Sequence, residues 1–82
     1  MRKYEAIGFR INELCKEKNI SKKLLAHKTG ISYETILRVT KGEKCELLLE
    51  KQLQIFWAFG ITAEKFFRSP LFNHIEKEDE IE

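Results

Sequence analysis

Residues 20–44 read ISKKLLAHKTGISYETILRVTKGEK, a stretch that parses into two short helices around Gly30. Ser21 carries the short polar side chain that accepts from the free amides of a helix start, so it caps a helix in which Leu24, Leu25 and Ala26 face inward. Gly30 ends that helix, because glycine takes the left-handed backbone of a tight exit without a steric penalty. Ile31 then plugs the space between the helices, and Ser32 caps a second helix whose Ile36 and Val39 recur three residues apart on its buried side. Tyr33, Glu34, Leu37, Arg38 and Lys41 are left on the outer side. An outward helix bearing tyrosine, arginine and lysine, beside a helix opening on Lys22 and Lys23, suits contact with base edges and phosphates, and the arrangement is that of a helix-turn-helix. A plain helical hairpin with a solvated basic face is the other reading of the same pattern.

Working outward, a first helix starts at Tyr4 or Glu5 and runs to Lys18, with Ile7, Ile11 and Leu14 on one stripe. Asn19 ends it and Ile20 returns to the core. Gly42 is placed to C-cap the second helix of the pair, inside a connecting loop of residues 41–46. A fourth helix is expected over residues 47–59, where Leu48, Leu49, Leu53, Ile55, Phe56 and Phe59 give a broad apolar surface before Gly60 terminates it. Thr62 caps a short fifth helix over residues 63–68, whose Phe66 and Phe67 fold back onto the core. Pro70 breaks that helix, and Leu71 and Phe72 are expected to continue in extended form. The fold class is therefore all-α, a compact five-helix domain over residues 1–75, followed by an acidic tail over residues 76–82.

The chain has 82 residues, 43% hydrophobic and 34% charged, which is one small domain with too little core for a buried active site and its supporting shell. Its longest apolar run, residues 55–61, is 7 residues long, against the roughly 20 a membrane helix needs, so no membrane association is expected. The opening Met1, Arg2, Lys3, Tyr4, Glu5 lacks the apolar core of a signal peptide, which points to the cytoplasm. The 2 cysteines, Cys15 and Cys45, form no CxxC pair, and His27 and His74 stand apart, so neither a zinc site nor a disulfide framework is expected. No Ser-His-Asp set, paired acids or phosphate-cradling glycine loop occurs; the expectation is a protein that is not an enzyme, with no metal, cofactor or small-molecule ligand. The net charge is +2, but it is unevenly spread: residues 1–75 carry 14 basic and 8 acidic side chains, while residues 76–82 carry 5 acids and 1 lysine. A basic body favours a polyanion such as DNA, and the tail is either a solvated end or a competitor for the basic face.

From about residue 7 to residue 72 the chain resembles the Cro/repressor type of helix-turn-helix protein, the XRE family of bacterial and phage regulators. The resemblance is carried by an ordered set of motifs: IG-x-RI-x-EL-x-KEK-x-IS, LA-x-K-x-GIS, TI-x-RV-x-x-G and A-x-GIT-x-x-x-FF. It implies a lambda-repressor-like DNA-binding domain, most often a dimer acting on transcription, with the helix after Gly30 in the major groove. On the matching positions it assigns base reading to Tyr33, Glu34, Thr35 and Arg38. It assigns phosphate contacts to Lys22, Ser32, Lys41 and Lys44, and Arg10 is grouped with them as a cation able to reach a phosphate.

Chemistry agrees with several of these. Arg38 suits a bidentate contact to guanine and Glu34 suits a cytosine amino group, although Glu34 in a first helical turn also serves simply to complement the helix dipole. Arg10 is a departure, since the acid it pairs with in many relatives is matched here by Thr40, leaving Arg10 to find Glu13, Glu43 or a phosphate. Leu37 and Trp57 are large and apolar where relatives are small or polar, and Gln52 stands where relatives bury leucine. Trp57, Phe67, Leu71 and Phe72 lie where relatives form a two-fold contact and are assigned to a dimer interface; the competing view is that the chain after Pro70 covers Trp57. Cys15 is read as core packing and Cys45 as an exposed thiol. The function expected is a sequence-specific double-stranded DNA-binding regulator, a homodimeric repressor. The alternative is a protein-interaction module of the same fold, antitoxin-like or anti-repressor, with weak or no DNA binding.

Overall fold

The computed structural model describes residues 1–76, which form five α-helices and one 3₁₀ turn: α1 (Lys3–Lys18), α2 (Lys22–Thr29), α3 (Tyr33–Thr40), α4 (Leu49–Phe59), α5 (Ala63–Phe67) and the turn Pro70–Phe72. It is a lambda-repressor-like all-helical fold. The caps follow the sequence closely. The Ser21 hydroxyl accepts from the Leu24 amide at 3.0 Å, Ser32 from Thr35 at 3.1 Å, and Thr62 from Lys65 at 3.1 Å. Gly30 and Gly60 both end their helices with positive φ, 76° and 72°. Gly42 is also left-handed, but it lies one residue beyond the C-cap Lys41 of α3.

The core is built from Ile11, Leu14, Leu25, Ile31, Ile36, Val39, Ile55, Phe56, Phe59 and Phe66, one or more from each helix. Between α2 and α3, Thr29 is buried with its hydroxyl donating to the Leu25 carbonyl at 2.8 Å and accepting from the Ile31 amide at 3.2 Å. That pair of bonds fixes the turn from which α3 departs. The other end of α3 is held by α1: the Asn12 side-chain amide donates to the Thr40 carbonyl at 2.8 Å. Gly8 lets the two backbones approach so closely that a Cβ at that position would lie 1.9 Å from the Val39 carbonyl oxygen.

Several expectations change. Leu24 does not face inward but is 41% exposed, and Leu37 is half-buried instead of outside. Helix α4 begins at Leu49, with Leu48 at the N-cap, because the Gln52 side-chain amide donates to the Leu47 carbonyl at 2.9 Å and keeps that residue in the loop. Leu48 and Leu49 stay exposed, so the core takes only part of the apolar surface of α4. Residues 70–72 coil into a 3₁₀ turn and do not extend, since Ser69 accepts from the Leu71 amide and Pro70 starts with its φ already helical. Of the acidic run, Glu76 donates its amide to the Met1 carbonyl and pairs with the Met1 ammonium at 3.4 Å; the rest of the expected tail, residues 77–82, lies outside the described residues.

Candidate nucleic-acid interface

Helix α3 presents Tyr33, Glu34 and Arg38 to solvent, with Thr35 half-buried behind them. Glu34 in the first turn and Arg38 one turn on share the face opposite Ile36 and Val39, and Tyr33, at the first position of the helix, flanks it. The Ser32 hydroxyl donates to Thr35 Oγ1 at 2.9 Å while accepting the Thr35 amide. Ser32 is thereby occupied as a cap, and the Thr35 hydroxyl, accepting from Ser32, keeps its own proton to donate outward. Across the turn, Lys23 Nζ lies 5.8 Å from the centre of the Tyr33 ring, a cation–π contact that ties the start of α2 to the start of α3. The sequence gives no local sign of it.

Positive charge surrounds this face. Lys22 is half-buried at the first position of α2, near the amides of a helix start that favour anions. Lys41 and Lys44 are exposed on either side of Gly42. Glu43 lies between them and does not reach Arg10; its carboxylate is 3.5 Å from Arg38 Nε.

Arg10 is placed elsewhere. Its Nε donates to the Phe66 carbonyl at 2.6 Å, and its terminal nitrogens donate to the Lys65 carbonyl at 2.9 Å and to Glu13 at 3.0 Å. With these bonds made and its side chain 11% exposed, Arg10 anchors α5 to α1 and leaves the phosphate set. Glu13 also accepts from Ser69 at 3.3 Å, which extends the anchor to the C-terminal turn.

On α4 and α5, Trp57 is 70% and Phe67 42% exposed, whereas Leu71 and Phe72 are half-buried and the Phe72 ring packs 5.1 Å from that of Phe67. The described chain after Pro70 therefore packs on the phenylalanines and not over Trp57.

Both cysteines are free. Cys15 packs in the core, and its burial pushes the thiol above its usual range, with Lys22 opposing more weakly. Cys45 is half-buried and lines a cleft of about 380 Å³ with Tyr4, Ile7, Val39 and Leu47. No group of three or more metal-ligating side chains occurs among the described residues, and no described helix is long and apolar enough to cross a membrane.

No curated protein and no solved structure matches the chain. A family model does: the Cro/C1-type helix-turn-helix DNA-binding domain matches residues 10–55, from within α1 through the helix-turn-helix into α4. The match covers more than half of the chain and contains the whole outward face of α3. The protein belongs to the Cro/C1-type helix-turn-helix family of DNA-binding domains.

Proposed function

We propose that the protein is a sequence-specific regulator of transcription that binds double-stranded DNA as a homodimer and represses by occupying its site, in the cytoplasm. The observation that carries this reading is the outward face of α3: Tyr33, Glu34 and Arg38 stand exposed on a helix whose opposite side is locked into the core. A helix so presented fits the major groove, where Arg38 takes a guanine edge, Glu34 a cytosine amino group, and Tyr33 and Thr35 a thymine methyl or a neighbouring acceptor. Lys22, Lys41 and Lys44 flank it as phosphate contacts through their side chains, and Ser32, its hydroxyl taken up by the cap, through its backbone amide at the helix start. The basic body formed by residues 1–75 supplies sequence-independent attraction through counterion release.

The dimer reading rests on Trp57 and Phe67, large apolar side chains left open on α4 and α5. Phe72 packs against Phe67 from within the fold, and Leu71 is half-buried in the same C-terminal turn. Two recognition helices related by a two-fold axis would enter major grooves roughly 34 Å apart. Repression by occlusion needs nothing beyond site occupancy.

Fluorescence anisotropy with a selected operator tests the assignment of roles. Arg38→Ala is expected to relax preference at one base position, a loss of about 1–3 kcal/mol in discrimination. Lys44→Ala is expected to weaken binding to all sequences alike and to make the salt slope shallower by about one unit. Equal weakening for every sequence on Arg38→Ala would remove it from the reading set.

A further inference from the structure

Helix α3 ends in a return of the chain that brings an acid back onto its own reading face. Gly42, with φ of 85°, turns the backbone so that the Glu43 amide donates to the Arg38 carbonyl at 3.2 Å. The same turn sets the Glu43 carboxylate against the Arg38 guanidinium, Oε1 to Nε 3.5 Å. We infer that Glu43 is a positioning residue for base reading, holding Arg38 by its Nε edge so that the two terminal nitrogens face a guanine.

A guanidinium is a planar fork with two usable edges, one formed by Nε with a terminal nitrogen and the other by the two terminal nitrogens. Glu43 sits at Nε, which leaves the second edge for the O6 and N7 acceptors of guanine. In the free protein both side chains are more than half exposed, 56% and 51%, so water screens the pair and it adds little to folding. At a DNA surface the balance differs. Water is displaced, which strengthens the contact, and the phosphates draw an untethered arginine sideways onto the backbone. A carboxylate at Nε opposes that displacement. Placed between Lys41 and Lys44, it also weakens attraction to every phosphate nearby, so its two effects have opposite signs for affinity and for discrimination. The inference rests on α3 being the reading helix.

The test uses the full chain and duplexes that differ only at the base pair where Arg38→Ala loses preference. Glu43→Gln is expected to bind random duplex DNA more tightly than the unmodified protein, while its preference at that base pair falls by about threefold or more. Glu43→Asp retains the charge but shortens the side chain by one methylene; it is expected to keep the affinity for random DNA and to lose a similar share of preference. In an Arg38→Ala background, neither substitution is expected to alter preference further. Tighter binding of Glu43→Gln to all sequences with preference intact would overturn the positioning role and leave Glu43 as a simple repulsive charge, with DNA reading by α3 untouched. Absence of salt-sensitive duplex binding by the unmodified protein would overturn the reading helix itself, and the inference with it.

Discussion

Replacing Gly8 with alanine is expected to lower the free energy of unfolding by about 2–3 kcal/mol and the midpoint of thermal unfolding by roughly 10–20 °C. In a helix interior that substitution ordinarily stabilises, by about 1 kcal/mol, because alanine has the higher propensity. Here the new Cβ would fall 1.9 Å from the Val39 carbonyl oxygen and 2.9 Å from its carbon, and both are backbone atoms that no rotamer change can move. α1 and α3 would have to separate by at least about 1 Å, which breaks the bond from Asn12 to the Thr40 carbonyl and tilts the last turn of α3. Circular dichroism during urea and thermal unfolding reads the stability. An unchanged or raised midpoint, as propensity alone demands, would show that the close approach of α1 and α3 is not a determinant of the fold.

Phe66→Ala is expected to cost about 3–5 kcal/mol, a large share of the total stability of a domain this small. The Phe66 side chain is 1% exposed and joins three rings, its centroid lying 4.5 Å from Phe56, 5.0 Å from Phe67 and 6.1 Å from Phe72. The Arg10 guanidinium lies 5.9 Å from the ring centre and donates to the Phe66 carbonyl, so the ring and the Arg10 anchor support each other. Its removal opens a cavity where α4, α5 and the C-terminal turn meet. Phe66→Leu, which restores most of the volume, should recover much of the loss. The midpoints of urea unfolding for the two variants check both statements, and a loss under about 1 kcal/mol for Phe66→Ala would mean that the cluster does not hold α5.

The legible part of this molecule was the part governed by local chemistry. Ser21, Ser32 and Thr62 cap the helices expected of them, and Gly30 and Gly60 close helices by the backbone conformation that glycine favours. Periodicity identified Ile36 and Val39 as buried and Tyr33, Glu34 and Arg38 as outward. What escaped depends on which element lies across from a residue. Gly8 inside a helix looks like a weak helix former until Val39 is seen against it. Arg10 is open in the sequence to Glu13, Glu43 or a phosphate, and of these Glu13 is its partner, but the carbonyls of Lys65 and Phe66, more than 50 residues away, have no mark in the local sequence, and neither has the turn at Gly42 that places Glu43 on Arg38. Leu24 carries the same apolar signal as Leu25, yet on a helix of 8 residues only one of two adjacent leucines lies fully on the core side.

Whether the outward face of α3 reads duplex DNA decides what this protein does. Selection of bound sequences from a random duplex library, with the unmodified protein and with Arg38→Ala in parallel, measures this directly. The expected result is a palindromic consensus with half-site centres about one helical turn, roughly 34 Å, apart, in which Arg38→Ala abolishes preference at one position of each half-site. Recovery of no consensus, with no loss of affinity as salt is raised, would contradict it.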